Sequence, residues 1–300
     1  MADTEQSRVL VTGAAGMLGS QVLLSAPDEI VAVGTDLRPG SGVDAPGVDL
    51  ADPGAVAALF GQRGPFSGVI HTAAYTAVDE AESDEEAATR CNVEACRVLA
   101  QECARADVPL VIVSTDFVFD GTLGRPYREE DEPRPLGVYG RTKLAGERAA
   151  RAAHPRGTAI VRTQWLYGPR GKHFPGTIQA LARERDELKV VDDQVGSPTS
   201  TLELAPALWD VLRSGQAGVY HATCEGSCSW YELARAVVDV NGAKEVRVLP
   251  CTTAEFPRPA RRPAHSVLDC ARLTALRGKP LKPWREALST WLGDSGEEGD

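Results

Sequence analysis

The sequence predicts an α/β protein, a Rossmann-type doubly wound parallel sheet joined to a smaller C-terminal α/β region. In the first half of the chain, short strands rich in β-branched residues alternate with longer helical patterns. This spacing is typical of βαβ units and a parallel sheet. The first strand also runs directly into a glycine-rich turn that opens a helix, an arrangement suited to binding a phosphate group.

The elements of the first half follow from apolar periodicity. The predicted strands are Arg8–Thr12, Ile30–Val33, a short strand that starts at Val69 and runs to Ala74, Leu110–Val113 and Ala159–Arg162. The predicted helices are Met17–Ser25, Pro53–Gln62 with Asp52 as N-cap, Glu82–Arg105 and Leu136–Ala153. Between the predicted strands Leu110–Val113 and Ala159–Arg162, residues 116–135 form a long polar loop. Such loops are often functional.

The composition of the chain changes after Trp165: proline and glycine become more frequent, and the predicted helices and strands become shorter. Helices are still predicted at Thr201–Leu212, Trp230–Val240 and Trp284–Leu292. We therefore expect a dinucleotide-binding domain over residues 1–165 and a substrate region over 166–300, partly interleaved with the first. The acidic, glycine-rich tail Asp294–Asp300 is predicted to be disordered.

Composition excludes several partners. The net charge of −10 argues against nucleic acid. No apolar run reaches the length of a membrane helix, and the first seven residues are polar and acidic rather than a secretory signal. We expect a cytoplasmic protein without a membrane partner. A cytoplasmic chain keeps its thiols reduced.

A metal site is not predicted. The seven cysteines include no C-x-x-C pair. His221, Cys224 and Cys228 come close together in the chain, but zinc spacing needs a fourth ligand and tighter pairing.

The glycine turn is the first candidate site. Gly13 and Gly16 follow the first strand, and Met17 and Leu18 begin the helix. Glycine lets the chain turn sharply and lets the backbone meet a pyrophosphate, while the helix N-terminus offers free N–H groups. The turn therefore predicts a dinucleotide cofactor.

Further along, two short segments, each with one aspartate, predict the binding site for the adenosine end of that cofactor. Asp36 follows the second strand and suits the ribose hydroxyls of NADH, whereas Arg38, beyond Leu37, suits the 2′-phosphate of NADPH. The cofactor is therefore NADPH or NADH. Asp49 and Leu50 suit the amino group and the face of the adenine.

A catalytic set is predicted from Tyr139 and Lys143, which lie four residues apart and so share one helix face. A lysine ammonium one turn away should lower the pKa of the tyrosine and make it a better proton donor to a carbonyl. Thr115, after the Leu110–Val113 strand, can polarise the same carbonyl, and Asn92 can anchor a proton-relay water. The set predicts reduction of a ketone.

These residues resemble the extended short-chain dehydrogenase/reductase family and, within it, the dTDP-4-dehydrorhamnose reductases. The likeness covers nearly the whole chain. Its motifs are Val11–Gly19, Ala73–Asp79, Ala81–Ser83, Ser114–Thr122, Tyr139–Glu147, Arg162–Trp165, Asp193–Thr199 and Ala260–Pro263.

The resemblance implies reduction of the 4-keto group of a dTDP-bound deoxysugar, in a possible homodimer. It implies that Ala73, Ala74 and Tyr75 contact the cofactor together with Tyr139 and Lys143. The residues that it assigns to the sugar nucleotide are Val78, Asp79, Thr115, Asp116, Phe117, Trp165 and Arg262, together with the loop Asp193–Thr199.

Three positions depart from the family pattern. His173 stands where asparagine is more frequent and could alter sugar contacts. Gln21 replaces an acid that helps a metal bridge two subunits in some relatives, which makes a magnesium-linked dimer doubtful. Phe117 replaces the more usual tyrosine.

Three alternative functions stay open from the sequence. A sister ketoreductase would make another dTDP-deoxysugar, such as a dihydrostreptose, for an antibiotic. A non-catalytic regulatory subunit, like the β subunit of methionine adenosyltransferase, would not need an intact Thr115, Tyr139 and Lys143. A dehydratase would want an Asp-Glu pair beside Thr115, but Phe117 follows Asp116 here.

Overall fold

The computed structural model describes residues 6–243 and 245–294. The strands, numbered in chain order, are β1 (Ser7–Thr12), β2 (Ile30–Asp36), β3 (Ala45–Pro46), β4 (Gly68–His71), β5 (Leu110–Thr115), β6 (Thr158–Thr163), β7 (Leu166–Tyr167), β8 (Glu187–Val191), β9 (Val195–Gly196), β10 (Thr199–Ser200), β11 (Gly218–His221), β12 (Cys228–Ser229) and β13 (Arg247–Cys251).

The helices, numbered likewise, are α1 (Met17–Leu24), α2 (Pro53–Arg63), α3 (Glu85–Thr89), α4 (Ala95–Ala106), α5 (Val138–Ala153), α6 (Phe174–Leu181), α7 (Thr201–Ser214), α8 (Trp230–Val240), α9 (Ala271–Arg277) and α10 (Trp284–Asp294). The predicted N-cap of α2 is confirmed, since the Asp52 carboxylate accepts from the backbone N–H groups of Gly54 and Ala55.

A seven-stranded parallel sheet in the order β11-β6-β5-β4-β1-β2-β3 forms the centre of the fold. Successive side chains of a strand point to opposite faces. Val9 and Val11 pack with α1 and α7 on one face, whereas Leu10 packs with α2 and α4 on the other. Helices thus cover both faces, and the predicted doubly wound α/β class is confirmed.

The helix predicted at Glu82–Arg105 is confirmed as an unbroken helical segment over residues 85–106, but not as a regular α-helix from Glu82. A 3₁₀ turn at Glu80–Glu82 precedes α3, and a π-helical turn at Arg90–Glu94 separates α3 from α4. Amphipathic periodicity cannot detect one widened turn, because it shifts the helical face by a single residue.

Helix α5 also begins two residues later than predicted, because Gly137 is extended and serves as its N-cap. In the second half of the chain, α8 has the predicted bounds, and α7 and α10 each run two residues beyond them.

The second half of the chain contributes a strand to the central sheet. Strand β11 pairs in parallel with β6 along its whole length. The remaining strands form three small two-stranded ladders, β10-β7, β12-β9 and β13-β8. The domain division at residue 165 stays a prediction, and most of the predicted disordered tail, residues 295–300, lies outside the described residues.

Candidate functional site

A cleft of about 920 Å³ runs along the carboxyl ends of β1, β2, β4, β5 and β6. It is lined by most of the residues that the sequence singles out: Gly13, Gly16, Met17, Leu18, Asp36, Leu37, Arg38, Asp49, Leu50, Ala73, Ala74, Tyr75, Val78, Thr115, Asp116, Phe117, Tyr139, Lys143 and Trp165. Carboxyl ends of parallel strands are where open α/β sheets bind ligands.

The glycine turn closes tightly against the strand beside it. Gly13 has φ +68°, and a Cβ there would lie 2.7 Å from the backbone nitrogen of Ala73. A Cβ on Gly19 would lie 2.0 Å from the carbonyl oxygen of Gly13. Gly16, the N-cap of α1, has no side chain to occupy the first N–H groups of the helix. This end of the cleft therefore suits a pyrophosphate.

Asp36 is the last residue of β2 and stands at the mouth of the cleft. Its carboxylate accepts hydrogen bonds from the backbone N–H groups of Ala15 (3.1 Å) and Arg38 (3.2 Å). These bonds hold the carboxylate beside the glycine turn. Leu37 between them is 64% exposed and presents an apolar face.

Asp49 is paired with a cation that the sequence analysis missed. Its carboxylate forms an ion pair with Arg90, and this hydrogen bond is the largest of the effects that lower the pKa of Asp49. Arg90 begins the π-helical turn and also lines the cleft. No local motif marks it, because its partner lies 41 residues away.

Asn92 lies behind the cleft lining. Its side chain accepts from the backbone N–H of Tyr75 (2.9 Å) and donates to the Tyr75 carbonyl (3.3 Å) and to the Thr142 hydroxyl (3.1 Å). It thus ties the segment after β4 to α5. The predicted part of Asn92 in anchoring a relay water stays a prediction.

Thr115, Tyr139 and Lys143 meet where β5 ends beside the first turns of α5. Thr115 is the last residue of β5. Lys143 is buried, and its Nζ donates a 2.8 Å hydrogen bond to the carbonyl of Val113 in the same strand. The ring of Phe117 packs edge-on against Tyr139, with centroids 5.5 Å apart. All three residues line the cleft.

The expected lowering of the Tyr139 pKa is wrong for this structure. Burial raises the pKa of Tyr139 to about 12, and a hydrogen bond with Thr115 opposes that rise only in part. The nearby Asp116 carboxylate also raises it, whereas the Nζ of Lys143 donates to the Val113 carbonyl. Tyr139 is accordingly a protonated phenol at neutral pH.

Asp116 is a second titratable group at the same point. It is buried, one carboxylate oxygen accepts from the Thr115 hydroxyl at 3.1 Å, and the other has no hydrogen-bond partner. Burial raises the pKa of Asp116 to about 6. The group therefore changes charge near neutral pH, beside the proposed proton donor.

The residues assigned to the sugar nucleotide divide into two groups. Val78, Phe117 and Trp165 line the cleft together with Thr115 and Asp116. Asp79 and Arg262 lie outside the lining and pair with each other.

His173 stands at the N-cap of α6, not in the cleft lining. Its Nδ1 accepts from the backbone N–H of Gly176 at 3.1 Å, and its ring packs edge-on against Trp291. Asparagine is a preferred N-cap, so the family's more frequent residue suits the same position. The neighbouring Lys172, which the sequence analysis passed over, lines the cleft instead.

Comparison with known proteins agrees with this geometry. The family described as the RmlD substrate binding domain matches residues 7–296. The chain belongs to this family. The resemblance drawn from the motifs is thereby confirmed.

Two curated relatives and a solved structure resemble the chain along nearly its whole length. The dTDP-4-dehydrorhamnose reductase of Mycobacterium tuberculosis is 44% identical over 292 residues, which cover 95% of this chain and 92% of that protein. A dTDP-4-keto-6-deoxy-D-glucose reductase of Streptomyces niveus is 39% identical, covering 94% and 95%. The crystal structure of a Bacillus anthracis dTDP-4-dehydrorhamnose reductase in complex with NADP superposes with TM-score 0.89 and 33% identity, covering 96% and 99%.

Proposed function

We propose that the protein reduces the 4-keto group of a dTDP-4-keto-6-deoxysugar, converting dTDP-4-dehydrorhamnose to dTDP-rhamnose with NADPH or NADH. One observation carries the proposal. Thr115, Tyr139 and Lys143 share a single cleft with the glycine turn of α1, in a chain 44% identical to a dTDP-4-dehydrorhamnose reductase. A non-catalytic subunit has no need of that set of side chains.

The cofactor fits the phosphate end of the cleft. Gly13, Gly16, Met17 and Leu18 would hold the pyrophosphate at the start of α1, where a bulkier residue than Gly13 would meet Ala73. When bound, the nicotinamide cofactor supplies a hydride for the carbonyl carbon. The Bacillus anthracis relative was crystallised in complex with NADP, which supports a nicotinamide cofactor for this chain.

The adenosine end would be held by two groups of residues. Asp36 and Arg38 offer a carboxylate for ribose hydroxyls and a guanidinium for a 2′-phosphate, with Leu37 beside them. Asp49 and Leu50 lie further along the same cleft, where adenine would bind. Ala73, Ala74 and Tyr75 form its floor, and Asn92 fastens Tyr75 from behind.

Residues of the chain itself donate the proton and stabilise the charge that is left. Tyr139, protonated at neutral pH, donates its phenolic proton to the carbonyl oxygen as that oxygen gains charge. Thr115 orients the oxygen by a hydrogen bond, for which its hydroxyl proton turns from Asp116 to the substrate. Lys143 carries a positive charge one helical turn away, which stabilises the phenolate that remains.

The sugar nucleotide would occupy the remaining wall of the cleft. Val78, Phe117 and Trp165 offer apolar surface, and Asp116 offers a carboxyl oxygen without a protein partner. Asp79 would border the sugar nucleotide, and Arg262 would bind its diphosphate, since a guanidinium binds phosphate oxygens in pairs. Arg262 would then exchange part of its pairing with Asp79 for the substrate.

A sister ketoreductase is the second candidate. The relative from Streptomyces niveus is named for a different 4-keto-6-deoxyhexose, so sugar configuration separates the two. Among the described residues, no helix has both the length and the apolar character to cross a membrane. We further propose a cytoplasmic location and a homodimer.

The test is turnover with two substrates. Purified protein is incubated with NADPH and either dTDP-4-dehydrorhamnose or dTDP-4-keto-6-deoxyglucose, and nicotinamide absorbance and the reduced sugar are followed. Faster oxidation with the first and release of dTDP-rhamnose support the proposal. Faster oxidation with dTDP-4-keto-6-deoxyglucose supports the sister ketoreductase. If NADPH is oxidised with neither substrate, both proposed functions are contradicted.

A further inference from the structure

Two tryptophans form a stacked pair at the substrate wall of the cleft. The indole rings of Trp165 and Trp230 lie with centroids 3.5 Å apart and planes inclined by only 13°. Trp165 lines the cleft, and Trp230 does not. Trp230 therefore supports the ring of Trp165 without belonging to the wall itself.

The backbone of Trp165 adopts a conformation that a non-glycine residue rarely takes. Its φ is +50°, in the left-handed region, where such strain persists only if the surroundings impose it and where it often marks ligand clamps. Gly196 leaves room for the ring, since a Cβ there would lie 2.7 Å from Trp165 Cε2. Both the backbone and the ring of Trp165 are thus confined.

Trp230 is itself fixed from three sides. It is the first residue of α8, whose N-terminus is closed by a capping box between Ser229 and Glu232. Its indole Nε1 donates a 3.2 Å hydrogen bond to the side-chain oxygen of Gln194. The ring of Phe174, at the start of α6, packs against it with centroids 4.6 Å apart.

Gln194, which accepts the hydrogen bond from Trp230, belongs to the family motif Asp193–Thr199. Gln194 is held in turn by a 2.9 Å hydrogen bond from its amide nitrogen to Thr253. Trp165 therefore sits on a ring whose orientation is set by three separate segments of the second half of the chain.

We propose that Trp230 is a positioning residue that sets affinity for the nucleotide sugar by holding the Trp165 indole against it. The inference rests on the proposed function, because it takes the ligand to be a dTDP-sugar. Stacking on Trp230 fixes one face of Trp165, so the ring cannot turn out of the cleft when the sugar binds. A ring fixed before binding loses less entropy on binding.

Single variants give the first test. Trp230→Leu and Trp230→Phe are compared with Tyr231→Leu, a half-buried aromatic residue at the same helix start that is not stacked on Trp165. We expect Trp230→Leu to raise the Kd of dTDP-rhamnose and the KM of the keto sugar roughly fivefold to tenfold, the effect of one aromatic pair. Trp230→Phe should restore most of that affinity, and the KM of NADPH should not change.

A double-mutant cycle separates positioning from general destabilisation. If Trp230 acts only through Trp165, Trp230→Leu should cost no further affinity once Trp165→Ala has been made. Loss of the exciton signal of the stacked indoles in far-ultraviolet circular dichroism, in both Trp230→Leu and Trp165→Ala, checks that the pair exists in solution.

Three results would overturn the inference: unchanged Kd in Trp230→Leu, additive losses in the double variant, or an equal loss in Tyr231→Leu. Calorimetry with dTDP-rhamnose needs no turnover. Wild-type protein that neither binds dTDP-rhamnose nor oxidises NADPH would instead contradict the proposed function on which the inference rests.

Discussion

Arg262 donates two hydrogen bonds of 3.0 Å to the carboxylate of Asp79, across 183 residues of sequence. The same guanidinium donates to the carbonyl of Ala260, while the Ala260 N–H bonds to Asp79. A loop of the second half is thereby fastened to the segment that follows β4. Both side chains are partly exposed, so a diphosphate can reach the guanidinium.

Replacing Arg262 should weaken the binding of the nucleotide sugar but not the binding of NADPH. We expect Arg262→Ala to raise the KM of the dTDP-sugar by about tenfold or more, the size of one lost charge-assisted hydrogen bond, and to leave the KM of NADPH unchanged. Arg258→Ala is the control, because Arg258 lies 3.9 Å from Asp79 and is 53% exposed. Equal effects of the two substitutions in steady-state kinetics would contradict a specific role for Arg262.

The buried ion pair of Glu147 and Arg162 should contribute to the free energy of unfolding. Both side chains are only 4% exposed, and Glu147 also accepts from Ser114 at 2.5 Å, which joins α5 to β5 and β6. Glu147→Ala leaves Arg162 buried without its counter-charge, so we expect a loss of about 3–5 kcal/mol in the free energy of unfolding. Denaturant unfolding measures it.

The matched control is the exposed pair of Arg247 and Glu187. Arg247→Ala should cost less than about 1 kcal/mol, since solvent screens exposed pairs. A Glu147→Ala variant as stable as Arg247→Ala would show that the buried pair does not hold α5 in place.

Asp116 should give the reaction a pH dependence. Because burial raises its pKa to about 6, the carboxyl is neutral below that pH and charged above it. The charged form raises the pKa of Tyr139 and so makes it a weaker proton donor. We expect kcat to rise as the pH falls through about 6, and Asp116→Asn to abolish that inflection. A pH–rate profile with the same inflection in both proteins would assign it to another group.

His173 should make the stability of α6 depend on pH. Burial lowers its pKa below the ordinary value of 6.5, and its Nδ1 caps α6 only when unprotonated. The cap therefore contributes fully above pH 6.5 and is lost as the pH falls through the lowered pKa. His173→Ala should cost about 1 kcal/mol at neutral pH.

His173→Asn provides the matched comparison, since asparagine caps a helix without titrating in this range. Thermal unfolding of this variant should show less loss than wild type between neutral and mildly acidic pH. Identical acid sensitivity of the two proteins would assign the effect to other histidines, such as the buried His71 and His221, whose pKa burial lowers to about 3.

The sequence predicts the sheet and the cleft because their signals are local. Strand periodicity, the turn at Gly13 and the four-residue spacing of Tyr139 and Lys143 are each contained in a few adjacent residues. The shared face of a helix then brings the last two together without any knowledge of the tertiary structure.

Other features depend on contacts between distant segments and carry no local signal. The ion pair of Arg90 with Asp49 and the stack of Trp165 on Trp230 join residues that are far apart in the chain. The raised pKa of Tyr139 follows from burial, a property of packing. Spacing alone therefore predicts which residues meet but gives the wrong direction for this pKa.

The assignment of Tyr139 as the proton donor is tested most directly by removing its phenolic oxygen. Tyr139→Phe removes only the phenolic oxygen, so the ring still packs against Phe117. Single-turnover reduction of dTDP-4-dehydrorhamnose by NADPH is measured in both proteins, with Kd values for both ligands. We predict a rate lower by about 10²- to 10⁴-fold with Kd values within roughly threefold of wild type. A rate that stays within about tenfold of wild type would contradict the assignment of Tyr139 as the acid.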